Sequence, residues 1–124
     1  MMNDRLKKLL SEKTVIFDGA IGTEIYKKNF FVNTSYESLC LNNPKVIREI
    51  HLSYKDAGAE VLTTNSFGAN FNTLNKFLLG DKVGEINRAA VRIAKEVAGE
   101  ELLVASSSSW WPSPWWWWPY RRPA

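Results

Sequence analysis

Three polar residues, Asp18, Asn65 and Ser106, stand at the ends of the three apolar runs that predict strands in this sequence. In parallel α/β folds the carboxyl ends of the strands share one rim, where ligands bind. A carboxylate, an amide and a hydroxyl on that rim match the groups of an amino acid. The carboxylate would take the ammonium group, and the amide with backbone N–H groups would take the carboxylate.

The Asp18-Gly19 pair has two interpretations. Gly19 and Gly22 allow the chain to turn sharply, and Asp-Gly is a common turn pair, so this stretch alone favours a simple turn. Asn65 alone favours a side chain that satisfies loop backbone groups. Because two polar strand ends are each followed by a glycine turn, a binding site stays open beside the turn interpretation. The candidate substrate-binding residues are therefore Asp18, Gly19 and Asn65.

Glycine, histidine and cysteine residues, which form nucleotide, catalytic or metal sites in other proteins, have simpler interpretations in this sequence. The glycines match neither phosphate-loop pattern, which disfavours a nucleotide-binding domain. His51 lies beside the apolar stripe of a predicted helix and is interpreted as a packing or capping residue rather than a base. Cys40 is interpreted as a half-buried small apolar residue rather than a nucleophile. One Cys and one His do not make a zinc site, so no catalytic or metal-ligating residue is predicted.

Hydrophobic periodicity predicts the elements that position these residues. The predicted strands are residues 15–18, 61–65 and 102–105. The predicted helices are residues 4–12, 23–28, 44–57, 71–79 and 82–98, with an ordered loop at 29–41. The first strand, a continuous apolar run, is expected to be buried on both faces.

Capping residues set the bounds of the two long helices. Asn43 is predicted as the N-cap of the first, with Pro44 at its first position, and Asp81 as the N-cap of the second. Gly58 and Gly99 are predicted to end them. The order β-α-β-α-β with short links predicts parallel strands with right-handed crossovers. Both an open doubly wound sheet and the opening third of a (β/α)₈ barrel fit that order.

Length and composition limit the class of protein. The 124 residues are enough for one domain. A net charge of +3 does not indicate the strongly basic surface that binds nucleic acids. Cys40 is the only cysteine, which excludes an intrachain disulfide and favours a reducing cytoplasm. The first residues lack the apolar core of a signal peptide, and no run has the length of a membrane span.

A change in composition near residue 105 divides the sequence. All six Trp and four of the five Pro lie between residues 110 and 123, so we predict a folded part at 1–105 and a low-complexity tail at 106–124. One interpretation is a non-enzymatic membrane-surface or antimicrobial-like protein, with Trp and Arg side chains in the lipid interface. The other is translation out of frame near Ser106, which we prefer.

Several blocks resemble the start of the homocysteine S-methyltransferase family. This family includes the homocysteine-binding module of cobalamin-dependent methionine synthase and the enzyme fused to methylenetetrahydrofolate reductase. The resemblance covers about residues 10–105. Its blocks are Phe17-Asp-Gly-Ala-Ile-Gly-Thr23, Asn43-Pro44 followed by His51 and Tyr54, Ala57-Gly-Ala59, Thr63-Thr-Asn-Ser-Phe-Gly-Ala69 and Asn87-Arg-Ala-Ala-Val-Arg-Ile-Ala94.

The resemblance implies a (β/α)₈ TIM barrel, of which this chain would supply about three βα units. It implies methyl transfer to the thiol of homocysteine, giving methionine. A zinc ion held by three cysteine thiolates would keep the homocysteine sulfur deprotonated. By the same resemblance Asp18 is the acid near the homocysteine amino group, and Asn65 lies on the same rim.

The departures from the family pattern set further expectations. The zinc cysteines of the family lie late in the barrel, and Cys40 matches none of them. A Gly-Pro-Thr-Gly turn of the family is replaced by the serine run from Ser106. We therefore expect an N-terminal portion of the barrel that binds no zinc, lacks activity alone and aggregates through open sheet edges. Cobalamin or folate would act only through other domains. The methyl donor stays open among methyl-cobalamin, S-methylmethionine, S-adenosylmethionine and betaine.

Overall fold

The computed structural model describes residues 3–108. Most of the predicted tail therefore lies outside the described residues, including the Trp- and Arg-rich segment on which the membrane-surface interpretation depends. Among the helices at 3–108, none combines the length and apolar character needed to cross a membrane.

Helices and strands alternate along the chain largely as the hydrophobic pattern predicts. The helices of residues 3–108 are α1 (Asp4–Glu12), α2 (Gly22–Lys27), α3 (Leu39–Asn42), α4 (Pro44–Asp56), α5 (Phe71–Asn75) and α6 (Val83–Ala98). The strands are β1 (Val61–Thr63) and β2 (Leu103–Ala105), and a 3₁₀ turn at Gly80–Lys82 precedes α6. The predicted loop at 29–41 contains the start of α3.

The two strands pair in parallel, with Val61 opposite Leu103. Phe17 adds a single parallel bridge to Val61 on the other edge of β1. The spatial order of the extended segments is thus the order of the sequence, and α6 forms the crossover between the strands. This is the arrangement predicted for successive βα units.

The predicted first strand is wrong in extent and in burial. Only Phe17 forms a bridge, and the side chains of Ile16 and Phe17 are 56% and 50% exposed. Within residues 3–108 this segment has a neighbouring strand on one side only. A strand at a sheet edge has fewer neighbours to cover its side chains, so an apolar run does not by itself ensure burial.

The predicted caps are partly confirmed. Pro44 begins α4, but the side chain of Asn43 makes no capping hydrogen bond. Asp81 is not the N-cap of α6, because it lies within the 3₁₀ turn and Lys82 takes the N-cap position. Gly58 and Gly99 follow the two long helices with positive φ values of 102° and 55°, which glycine adopts without steric cost.

The main core lies between α4 and the helices α3 and α6. Ile47 and Ile50 of α4 pack with Ile93 of α6, and Ile25 of α2 joins them. All four side chains are at most 2% exposed. Because this core holds α4 in place, it also holds the α4 side chains that face the candidate site.

Truncation of this core provides a test of the packing. Ile93→Ala is expected to lower the free energy of unfolding by about 2–5 kcal/mol, since it removes apolar contacts and leaves a cavity. Leu52→Ala on the exposed face of α4 serves as the control, because Leu52 is 47% exposed. Urea unfolding followed by circular dichroism measures both variants. Equal losses in the two variants would contradict the assigned core.

Candidate substrate-binding site

A cleft of about 350 Å³ lies where residue 18 and the end of β1 meet. Its described lining includes two carboxylates, Asp18 and Glu37, and contains no Lys, Arg or His. The lining residues are Asp18, Gly19, Ala20, Ile21, Gly22, Tyr36, Glu37, Thr63, Thr64, Asn65, Ser66, Phe67 and Ser107. The three predicted substrate-binding residues are thus brought together in one cleft.

Asp18 has one carboxylate oxygen that is paired and one that is not. Its Oδ2 accepts a hydrogen bond from the Thr63 N–H at 2.9 Å, and its own N–H donates to the Val61 carbonyl oxygen at 3.0 Å. Its Oδ1 is buried and has no hydrogen-bond partner among the described residues. A buried polar atom without a partner costs free energy, which a hydrogen-bond donor that reached Oδ1 would recover.

Gly19 allows a side chain of α4 to close on the turn after Asp18. The Tyr54 hydroxyl donates a hydrogen bond to the Ala20 carbonyl oxygen at 2.7 Å. A Cβ atom at residue 19 would lie 2.8 Å from that hydroxyl, closer than real Cβ contacts allow. Burial, with the negative charges of Glu24 and Asp18, raises the pKa of Tyr54, so the hydroxyl keeps its proton. The turn therefore favours glycine at this position.

Asn65 is only 7% exposed, and its amide is engaged with the protein. Its Nδ2 donates to the Tyr36 carbonyl oxygen at 2.9 Å and to the Cys40 Sγ at 3.6 Å. Both contacts join the end of β1 to the segment before α4. The two Nδ2–H groups of Asn65 are therefore both used, so this side chain has no donor for a ligand carboxylate. Its Oδ1 remains as a hydrogen-bond acceptor.

Ser106 does not join Asp18 and Asn65, so that expectation is wrong. Ser106 borders a separate groove along α6, whereas Ser107 lines the cleft. Successive residues of an extended chain point to opposite sides, and the prediction chose the wrong one.

The end of β2 is fastened to the end of β1 by hydroxyl groups. The Ser107 N–H donates to the Thr64 Oγ1 at 2.9 Å, and the Ser66 hydroxyl donates to the Ser107 carbonyl oxygen at 2.5 Å. Sequence reasoning missed these residues as part of the site. The run of polar residues after Leu62 was the available signal.

Glu37 is the second site residue that sequence reasoning missed. Its Oε1 accepts a hydrogen bond from the Gly68 N–H at 2.9 Å, and the Ser35 hydroxyl donates to its Oε2 at 3.3 Å. Glu37 lies in a segment predicted only as a loop. A contact that spans 31 residues leaves no periodic signal in the sequence.

Cys40 and His51 are both fully buried, so Cys40 is less exposed than the half-burial predicted for it. Burial raises the pKa of the Cys40 thiol to about 11, which keeps it protonated and a poor nucleophile. His51 is 0% exposed, and neither ring nitrogen has a hydrogen-bond partner at residues 3–108. Burial lowers its pKa. No group of three or more His, Cys, Asp or Glu side chains in this part of the chain is placed to hold a metal ion.

Comparison with known proteins places this chain in a family. The family model described as homocysteine S-methyltransferase matches residues 15–112, which is more than half of the chain. The chain belongs to the homocysteine S-methyltransferase family. The resemblance predicted from the Asp18 and Asn65 blocks is thereby confirmed.

Named relatives agree with this assignment. The chain is 30% identical over 101 residues to methionine synthase of Mycobacterium tuberculosis, covering 77% of this chain and 8% of that protein. It is 30% identical over 87 residues to selenocysteine methyltransferase of Astragalus bisulcatus, covering 68% of this chain and 26% of the relative. The chain therefore spans less than a third of the length of either relative.

Solved structures show the same fold. The metallated form of the homocysteine methyltransferase MmuM from Escherichia coli superposes with a TM-score of 0.71 at 27% identity. The match covers 83% of this chain and 40% of MmuM. The oxidised form gives a TM-score of 0.73. The described residues therefore form an α/β unit that resembles part of a homocysteine methyltransferase.

The turn at Gly19 gives a prediction on stability. Gly19→Ala is expected to destabilise the protein by about 1–3 kcal/mol, because the new methyl group overpacks the site against Tyr54. Gly22→Ala is the matched control, since a Cβ there would meet Tyr36 at 3.8 Å, an ordinary contact. Urea unfolding measures both. A Gly19→Ala protein as stable as Gly22→Ala would show that the turn moves freely.

The buried imidazole of His51 gives a prediction on pH. Its pKa is lower in the folded protein than the ordinary value of 6.5, so the unfolded chain binds a proton first as the pH falls. The stabilisation is complete above about pH 6.5 and decreases below it. Because His51 is the only histidine, His51→Gln should flatten the fall in unfolding free energy between about pH 7 and 5.5. An unchanged pH dependence in that variant would contradict the assignment.

Proposed function

We propose that this chain forms the amino-acid-binding part of a (β/α)₈ barrel that transfers a methyl group to the thiol of homocysteine, giving methionine. Family membership supports this function, as do relatives named methionine synthase and homocysteine methyltransferase. The parallel order of residue 17, β1 and β2, with a helical crossover, suits the opening units of a barrel. Residues 1–105 would form this part.

The observation that carries the proposal is the unpaired Oδ1 of Asp18. An ammonium group is a charged donor that satisfies a carboxylate oxygen with a strong hydrogen bond. Oδ2 is already fixed by the Thr63 N–H, so the carboxylate is held in one orientation before the ligand arrives. Preorganisation of this kind lowers the entropic cost of binding. Asp18 would therefore bind the homocysteine ammonium group, with Gly19 and Asn65 forming the adjoining walls.

The sign of the charge in the cleft supports an ammonium ligand. Asp18 and Glu37 are the charged residues of the described lining. A cleft with carboxylates and no cation attracts a positive group and disfavours a free anion such as phosphate. The ammonium end of an amino acid satisfies that requirement.

The described residues do not fit the zinc thiolate centre that the family resemblance implies. Cys40 is the only cysteine of the sequence, it is buried, and its sulfur contacts Asn65 at 3.6 Å. We therefore assign no step through a metal ion to these residues. Deprotonation of the homocysteine thiol is not supplied by this cleft, and we infer that the chain alone binds homocysteine without making methionine.

Substitution of Asp18 tests the proposal. Asp18→Asn should weaken L-homocysteine binding about ten- to hundredfold, since hydrogen bonds to charged groups contribute about 1.5–3 kcal/mol. Asp56→Asn, at the exposed end of α4, should bind like the wild type. Protection of cleft amides from hydrogen–deuterium exchange, titrated with L-homocysteine under reducing conditions, gives the affinity at low protein concentration.

Two results would count against the proposed function. Wild-type affinity in the Asp18→Asn protein would remove Asp18 from the binding site. Formation of methionine by the purified 124-residue chain with zinc and a methyl donor would overturn the inference that the chain lacks activity alone.

A further inference from the structure

The turn that follows β1 is held by a segment far away in the sequence. The strand ladder ends where the Thr64 N–H donates to the Ala105 carbonyl oxygen at 2.9 Å. Beyond that point, Asn65 donates to the Tyr36 carbonyl oxygen and the Gly68 N–H donates to Glu37. Both partners belong to residues 35–38, the acidic turn, which precedes α3 and borders the same cleft.

The acidic turn is partly buried and has hydrogen bonds of its own. Ser35 and Ser38 are each 3% exposed, and the Ser38 hydroxyl donates to the Ser35 carbonyl oxygen at 2.6 Å. The Ser35 hydroxyl donates to Glu37 Oε2 at 3.3 Å and orients the carboxylate. These hydrogen bonds therefore hold the Glu37 carboxylate where it accepts from the Gly68 N–H.

Gly68 and Glu37 are matched in size. Gly68 is buried, and a Cβ atom there would lie 2.6 Å from Glu37 Oε1 and 3.0 Å from Glu37 Cδ. Only a residue without a side chain lets the carboxylate approach the N–H this closely. The neighbouring Phe67 is 65% exposed, whereas Ala69 on the other side of Gly68 is 6% exposed and packs with Leu74 and Ile86.

We propose that Glu37 is a positioning residue for substrate binding. Its carboxylate holds the 65–68 turn through the Gly68 N–H, so that the cleft keeps the shape in which Asp18 meets the ammonium group. This inference rests on the proposed function of the same cleft. Glu37 acts through the main chain of the turn and not through a contact of its charge with the ligand.

Two substitutions of Glu37 separate position from charge. Glu37→Gln keeps an oxygen acceptor for the Gly68 N–H and loses the charge, whereas Glu37→Ala loses both. Hydrogen–deuterium exchange at Gly68, with and without titrated L-homocysteine, reports the order of the turn and the affinity together. Glu37→Ala should exchange the Gly68 amide about tenfold faster and bind about tenfold more weakly, since it loses a hydrogen bond to a charged group. Glu37→Gln should stay within about threefold of the wild type in both.

The Gly68 exchange rate and the homocysteine affinity also provide the controls and the results that would contradict the proposal. Glu85→Ala, on the exposed face of α6, should change neither quantity. If Glu37→Ala lowers overall stability, Gly68→Ala provides a second test, because it retains Glu37 but displaces the carboxylate, and the same losses are expected. Unchanged Gly68 exchange in Glu37→Ala would overturn the proposal. Weak binding by Glu37→Gln with normal Gly68 exchange would also overturn it, in favour of direct ligand contact.

If the proposed function is wrong, the same binding and exchange measurements give a different result. A wild-type chain that binds no homocysteine would end the assignment of the cleft to that amino acid. The exchange rate of the Gly68 amide would still decide whether Glu37 fixes the turn.

Discussion

Residues 16–18 are fixed to β1 by main-chain hydrogen bonds, and the position of Asp18 depends on them. The Glu60 N–H donates to the Ile16 carbonyl oxygen at 2.8 Å, and the Asp18 N–H donates to the Val61 carbonyl oxygen at 3.0 Å. The Glu60 side chain pairs with Lys13 and accepts a hydrogen bond from the Ile16 N–H, which together lower the pKa of Glu60. This short pairing fixes the Asp18 carboxylate although the segment forms no full strand.

The remaining walls of the cleft are held by a different kind of bond. The 65–68 turn, the acidic turn and the end of β2 meet through side chains that bond to main-chain groups. Such bonds fix loops where no strand ladder is available, and they leave glycine at the points of closest approach. Gly19 against Tyr54 and Gly68 against Glu37 are the two examples here. The shape of the cleft thus depends on a few polar contacts above a small apolar core.

The accuracy of the sequence predictions follows the range of the interactions involved. The bounds of α4 and α6 were predicted within a residue or so, because apolar spacing and terminal glycines are local signals. Asp18 and Asn65 were predicted as neighbours because parallel strand ends share one rim, and they line one cleft, whereas Ser106, predicted by the same argument, does not. The prediction that residues 15–17 are buried was wrong, since burial of a strand depends on neighbours on both of its sides. Glu37 was not predicted as a site residue because Gly68, its hydrogen-bond partner, lies 31 residues away in the sequence.

Under the proposed function, the charges of the cleft determine which groups of a homocysteine molecule it could satisfy. A zwitterionic amino acid also carries a carboxylate, yet the described lining offers two carboxylates and no cation, and the Asn65 amide hydrogens are engaged. The charges of the cleft therefore suit the ammonium end of an amino acid, and the described lining offers no cation to its carboxylate. A (β/α)₈ rim is built from eight strand ends, and MmuM extends well beyond the 40% of its chain matched here. Under the proposed function, division of one ligand among separate strand ends would make each end depend on its own local support, which we propose to be the acidic turn and Glu37 for β1.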